Sequence, residues 1–222
     1  MNPFGKAFSY LDPVDSMAEI LFGLIMVLSF TLAAGFVAGE GAVGVRELLI
    51  ATLGCNIAWG IIDGAMHIMT SLMHRGHRLR FIAAIQSAPD QATKRRIVAA
   101  EMEDSLTAHI TEAEKESIHQ TIVSMASHAR PRDVRVTRED WMGALNCFLL
   151  VVLTTLPATI PFLLIRDDPF KALRVSNLLL AGMLFVVGHQ WAKHAGLRPW
   201  LSAFLFLLAS LSLVAIAIGL GG

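Results

Sequence analysis

Charge is scarce in this chain. Only 16% of its 222 residues are Asp, Glu, Lys or Arg, against about a quarter in soluble globular domains, so there is too little polar surface to coat a water-soluble sphere. Acids and bases cancel at 18 each, which removes any global electrostatic case for a nucleic-acid partner. Cysteine is nearly absent. Cys55 and Cys147 both fall inside apolar runs, which excludes a disulfide framework and makes them small buried hydrophobes. The first residues, Met1–Met17, carry Lys6, Asp12 and Asp15 but lack the basic n-region and short apolar core of a signal peptide. The first hydrophobic run is therefore expected to stay in the mature protein. Also missing are a nucleophile elbow, a P-loop, a dinucleotide fingerprint and a Cys-x-x-Cys pair. Nothing argues for a hydrolase, a kinase or a nucleotide-driven pump, and the chain is not expected to be an enzyme.

What is abundant is apolar sequence: 55% of residues are hydrophobic and mean hydropathy is +0.59. Most of the charge is confined to residues 1–19, 74–140 and 166–174. A bilayer core of about 30 Å needs about 20 apolar helical residues. Five stretches qualify: Ile20–Gly39, Leu48–Met73, Trp141–Ile165, Val175–Ala192 and Pro199–Gly222. The expected fold is therefore all-α, a polytopic membrane protein with five transmembrane helices. Residues 1–73 hold the N-terminal tail and transmembrane helices 1 and 2. Residues 74–140 form a cytoplasmic amphipathic helical segment, and residues 141–222 hold transmembrane helices 3 to 5.

Orientation follows from Lys and Arg beside the spans. Arg75, Arg78 and Arg80 follow the second span, and Arg130, Arg132, Arg135 and Arg138 precede the third. Both clusters border the middle segment, which is expected to be cytoplasmic together with the N-terminus, leaving the C-terminus on the opposite side. Lys193 and Arg198 between spans four and five agree, whereas Arg166, Lys171 and Arg174 would face outward.

Within the middle segment, Leu79–Ser87 reads as a continuation of span two, stopped before Pro89. Gln91–Glu103 sets Ile97, Val98 and Met102 against Lys94, Arg95 and Arg96. Thr111 followed by Glu114 resembles a capping box, opening a helix to about Ala126. Ala129–Val136 is a linker back to the membrane.

Asp63 is the most informative residue, since an ionisable group deep in a span costs about 2.5–3.5 kcal/mol and usually marks an ion or proton path. Met66 and His67 follow at i+3 and i+4, on the same helical face, with Met69 close by. Carboxylate, imidazole and thioether together suit a borderline-soft divalent ion such as Fe²⁺. The plainer alternative is an Asp–His hydrogen bond that only holds the bundle together. Glu19, at the start of span one, either faces headgroups or supplies a second ligand across from Asp63. Gly60 and Gly64, like Gly35 and Gly39, are spaced for close helix packing or dimerisation. Pro157 and Pro161 remove two backbone donors from span three and should kink or partly unwind it, with Asn146, Thr154 and Thr155 available to satisfy the freed groups. In the middle segment Glu112, Glu116 and His119 share one helix face, with Glu101 and His109 upstream. Glu116 and His119 have the Glu-x-x-His spacing of di-iron bundles, although a solvated face is the commoner origin of such a pattern.

The two-plus-three division with an acid- and His-bearing insert resembles the vacuolar iron transporter family over essentially the whole chain. Local echoes are Leu156-Pro157 with Pro161-Phe162 in span three and Leu32-Ala-Ala-Gly35 in span one. The chain departs from the family in that the Asp-Gly pair usual in its span one is found here in span two, as Asp63-Gly64. The resemblance implies five spans, a cytoplasmic metal-binding segment, and a transport path using Glu19, then Asp63 with Met66 or Met69. It also implies a homodimer in the lipid bilayer whose cargo is a divalent metal ion, Fe²⁺ or Mn²⁺, with no permanently bound cofactor. Two functions are carried forward: proton-coupled export of that ion from the cytoplasm, or a non-transporting sensor or assembly partner whose cytoplasmic helices bind another protein.

Overall fold

Long runs of Leu, Ala, Ile and Val with few turn residues fold as helices because a helix satisfies every backbone group within itself. The structure, a computed structural model, describes residues 11, 13–37, 41–102, 111–130 and 133–219. Within them lie α1 (Pro13–Val37), α2 (Gly41–Ser87), α3 (Gln91–Met102), α4 (Glu112–His128), α5 (Arg138–Leu153), α6 (Thr155–Leu164), α7 (Pro169–His194) and α8 (Pro199–Gly219), and no strand. Five stretches are long and apolar enough to cross a membrane: Pro13–Ala33, Leu49–Ser87, Arg138–Leu164, Pro169–His194 and Pro199–Ile216. The chain falls into two units, Met1–Ile68 with Arg138–Gly222, and Met69–Thr137.

The larger unit packs around Leu24, Val27 and Leu28 of α1, Ala158 of α6, Leu180 and Leu184 of α7 and Val214 of α8. In a membrane such a core is held by close packing rather than by exclusion of water, so small residues at crossings matter. Gly188 of α7 is one of them, since a Cβ there would sit 2.8 Å from the Phe206 side chain of α8. The α7–α8 turn closes through Gly196, whose φ of +68° allows Leu197 N–H to donate to Ala192 O at 2.9 Å. At its other end α7 begins six residues earlier than the apolar run Val175–Ala192. Asp168 caps it by accepting from Lys171 N–H at 3.0 Å, and Pro169 occupies the first turn, where a missing N–H costs nothing.

Span three is irregular one turn before Pro157, which cannot donate to Leu153 O. The single residue Thr154 separates α5 from α6, and both Pro157 and Pro161 lie inside α6. Pro157 is the third residue of α6, where its N–H would be an orphan in any case. The carbonyls around the break are taken up by side chains. Thr154 Oγ1 donates to Val151 O at 2.6 Å, Thr155 Oγ1 to Val152 O at 2.6 Å, and buried Ser176 of α7 to Ala158 O at 2.9 Å. Thr154 and Thr155 bond to carbonyls one turn back, not to those of Leu153 and Pro157 that the two prolines leave without a helical donor. Asn146 is buried, but its Nδ2 has no hydrogen-bond partner.

The smaller unit closes the end of α2 with α3 and α4 around Ile85, Val98, Val123 and Ala126. α2 stops at Ser87 before Pro89, and α4 opens with a complete capping box, Glu114 Oε2 accepting from Thr111 N–H at 2.8 Å. Asp90 caps α3 by accepting from Thr93 N–H at 2.7 Å. Those bonds hold the Asp90 and Glu114 carboxyls below the usual carboxylate range. Gln86 reaches from α2 to the last carbonyls of α4, donating to Ala126 O at 3.0 Å and Ala129 O at 2.8 Å.

Candidate functional site

Asn56, Gly60, Asp63 and His67 recur at alternating steps of four and three along α2, which places them on one stripe of the helix. That stripe meets α5 in antiparallel register. Asn56 Nδ2 donates to Val151 O at 3.2 Å, Gly60 lies against Phe148, Gly64 against Ala144, and the His67 ring against Gly143. A Cβ on Gly64 would stand 2.9 Å from the Ala144 carbonyl oxygen, and one on Gly143 would overlap the imidazole of His67. The glycine pair of span two therefore serves an internal helix crossing.

α1 completes the seam. Gly23 packs on Thr154, Asn56 Nδ2 also approaches Gly23 O at 3.5 Å, and one turn before Gly23 the Glu19 carboxyl is hydrogen-bonded to Asp63 and takes the Cys147 thiol as a donor. The pairings of 19 with 147 and 23 with 154 make α1 parallel to α5, with α2 antiparallel to both. Three consecutive membrane crossings require that alternation.

An ionised carboxyl only accepts, so a hydrogen bond between two carboxyls needs a proton on one of them. Glu19 and Asp63 thus face each other as a carboxyl pair that needs a proton to bond directly. One oxygen of the pair is unused: Asp63 Oδ2 is buried without a partner, as is Asn56 Oδ1 two turns away. Beside the pair, α2 and α5 enclose an open apolar groove of about 340 Å³ between Ile61, Gly64, Ile68, Trp141 and Leu145.

Other expected site residues are placed differently. Met66 is 52% exposed and Met69 56%, so the thioethers point away from the packed seam. In the smaller unit, Glu112 Oε1 pairs with Lys115 at 2.7 Å, Glu116 Oε1 with Arg95 at 2.7 Å, and Glu101 with His77 at 3.4 Å. His119 is half-buried, its Nε2 without a partner. His109 lies outside the described residues. Among the described residues no group of three or more His, Cys, Asp or Glu is arranged to hold a metal ion. The sequence reading overlooked Asn56, Gly143 and Cys147. Asn56 was within reach, being a polar residue two turns before Asp63 on the same face, whereas Cys147 carries no signal until α1 and α5 are brought together. The chain matches no protein-family model, and no curated protein matches it at significant similarity.

Proposed function

We propose that this chain is an integral membrane transporter that moves a divalent metal ion, Fe²⁺ or Mn²⁺, out of the cytoplasm in exchange for protons. The observation that carries this reading is the hydrogen bond between Glu19 and Asp63, on two helices long and apolar enough to cross a membrane. Two carboxyls sharing a proton carry one negative charge. A divalent cation that displaces the proton leaves a neutral pair, so proton and cation compete for the same oxygens, which is the requirement for exchange. The unpartnered Asp63 Oδ2 gives the arriving ion a first oxygen. His67, one turn along α2, and Cys147, bonded to Glu19, supply the softer donors that favour Fe²⁺ or Mn²⁺ over Mg²⁺. Among the described residues no group of three is arranged to hold a metal, so in this reading binding reorganises the seam. The break at Thr154, one turn beyond Val151, supplies a place for that movement.

The test is uptake of Fe²⁺ and Mn²⁺ into inside-out vesicles with a pH-sensitive dye trapped inside. Asp63→Asn should abolish both metal uptake and proton counterflow at unchanged protein level. Undiminished uptake by that variant rejects the assignment. A second reading, a non-transporting protein whose middle helices bind a partner, is favoured by the ion pairs that occupy Glu112 and Glu116 and by Met125, which is 69% exposed.

A further inference from the structure

Methionine is unevenly distributed along the outward face of α2. Earlier on the helix the exposed positions are aliphatic, at Ile57, Ile61 and Ile62. At the end of the apolar run they pass to Met69 and Met73, which are 56% and 72% exposed. His77 follows, with 56% of its side chain exposed. Met69, Met73 and His77 stand at i, i+4 and i+8, so they form one column on the helix, each about 6 Å from the next along the axis. None of the three belongs to a core, so packing does not explain them. Leucine or isoleucine would serve contact with lipid equally well. What methionine adds is a soft, polarizable sulfur on a flexible stem.

His77 is oriented from outside the column. Its Nδ1 faces Glu101 Oε1 of α3 at 3.4 Å. A carboxylate only accepts, so in that pairing the proton of the neutral ring is on Nδ1 and Nε2 keeps its lone pair. Metal-ligating histidines are oriented in the same way, by a carboxylate on the nitrogen that does not ligate.

We propose that Met73 and His77 bind one soft monovalent cation, Cu⁺ or Ag⁺, with Met69 as a further donor one turn along. The column offers two sulfurs, one imidazole and no oxygen. Thioether sulfur selects Cu⁺, whereas Mg²⁺, Ca²⁺ and Mn²⁺ prefer carboxylate, carbonyl and water. The order along the helix suits an ion that arrives from water. His77 lies four residues beyond Met73, where the apolar run ends, and Met69 lies four residues inside it. The imidazole is met first and the sulfurs follow. The site shares no residue with the Glu19–Asp63 pair, and its cation is not the cargo proposed for that pair.

The test uses the full chain in mild detergent, labelled with carbon-13 at the methionine ε-methyl groups and titrated with Ag⁺. Cys55→Ala and Cys147→Ala are present throughout, because thiols compete for the same soft ion. The Met69 and Met73 signals should move with a common midpoint, ahead of Met125, a thioether exposed on α4 without an imidazole in its column. Glu101→Gln should raise the midpoint concentration about tenfold, as loss of an orienting carboxylate does, and His77→Ala and Met73→Leu should raise it further. Met69→Leu should raise it least. Asp63→Asn should leave it unchanged, so the result stands apart from the fate of the transport reading. Met125 moving together with Met73 overturns the proposal, since any exposed thioether then takes the ion. So does a His77→Ala or a Met73→Leu chain that keeps the original midpoint.

Discussion

The seam of α1, α2 and α5 and the layer of α3 and α4 use the same side chains to opposite ends. In the layer, Glu112, Glu116 and Glu101 each meet a basic group, in pairs largely open to solvent. Such pairs contribute about 0–1 kcal/mol, and any one of them can be lost without consequence for the fold. In the seam, Glu19 and Asp63 have no basic partner among the described residues and bond to each other instead. A carboxyl deep in a membrane span costs about 2.5–3.5 kcal/mol, so one on a helix apolar enough to cross a membrane demands a reason that packing does not supply. Abundance of acidic residues is therefore a poor guide to the proposed site. Scarcity is the better one.

The comparison is broken most severely by removing the shared proton. Asp63→Asn is expected to abolish metal uptake in the vesicle assay, whereas the double change Glu112→Gln with Glu116→Gln should leave it within about twofold, the exposed pairs being so weak. If the double variant loses transport instead, the charged layer and not the seam handles the ion.

Packing gives the next largest effect. Gly64→Ala puts a Cβ against a backbone oxygen that cannot yield, and should cost about 1–3 kcal/mol. Gly76→Ala, with nothing within 4 Å, should instead gain up to about 1 kcal/mol from helix propensity. Thermal unfolding of the detergent-solubilised protein measures both, and equal midpoints would mean that the crossing of α2 and α5 is looser than described. Asn56→Ala removes a donor from Val151 O and should cost about 1–2 kcal/mol in the same assay.

The smallest effect belongs to acid. Asp90 and Glu114 have folded-state values below their unfolded ones, so their capping contributions are complete above the ordinary carboxylate range and fade as pH falls through the depressed values. Hydrogen exchange at the Thr93 and Thr111 amides should accelerate there relative to the intrinsic rate. Protection that survives into that acid range would show that the caps do not depend on ionisation.

Much of the architecture was legible in the sequence, because span length, charge segregation and capping are local properties. The end of α2 before Pro89 and the capping box at Thr111 stand where the residues put them. The break in span three was legible too: Pro157 cannot donate to Leu153 O and its ring crowds that carbonyl, which puts the irregularity at Thr154, one turn before the proline. Asp63 was conspicuous as a lone charge. Its partnership with Glu19 and Cys147 was only half visible, since a thiol among apolar residues looks like filler until two other helices close on it. Met66 and Met69 lie outside the packed seam for the converse reason. Shared helical spacing says which residues are neighbours, not which of them the next helix covers.

The interruption at Thr154 has one more consequence. A span made of two stiff rods joined at one residue bends at the joint before it bends anywhere else. The α6 rod is anchored to α7 through Ser176, while the α5 rod carries Cys147 and the groove wall that faces Gly64. A change of bend at Thr154 would therefore act on the α5 side, where Cys147 meets Glu19 and Asn56 meets Val151, and not on the Ser176 anchor.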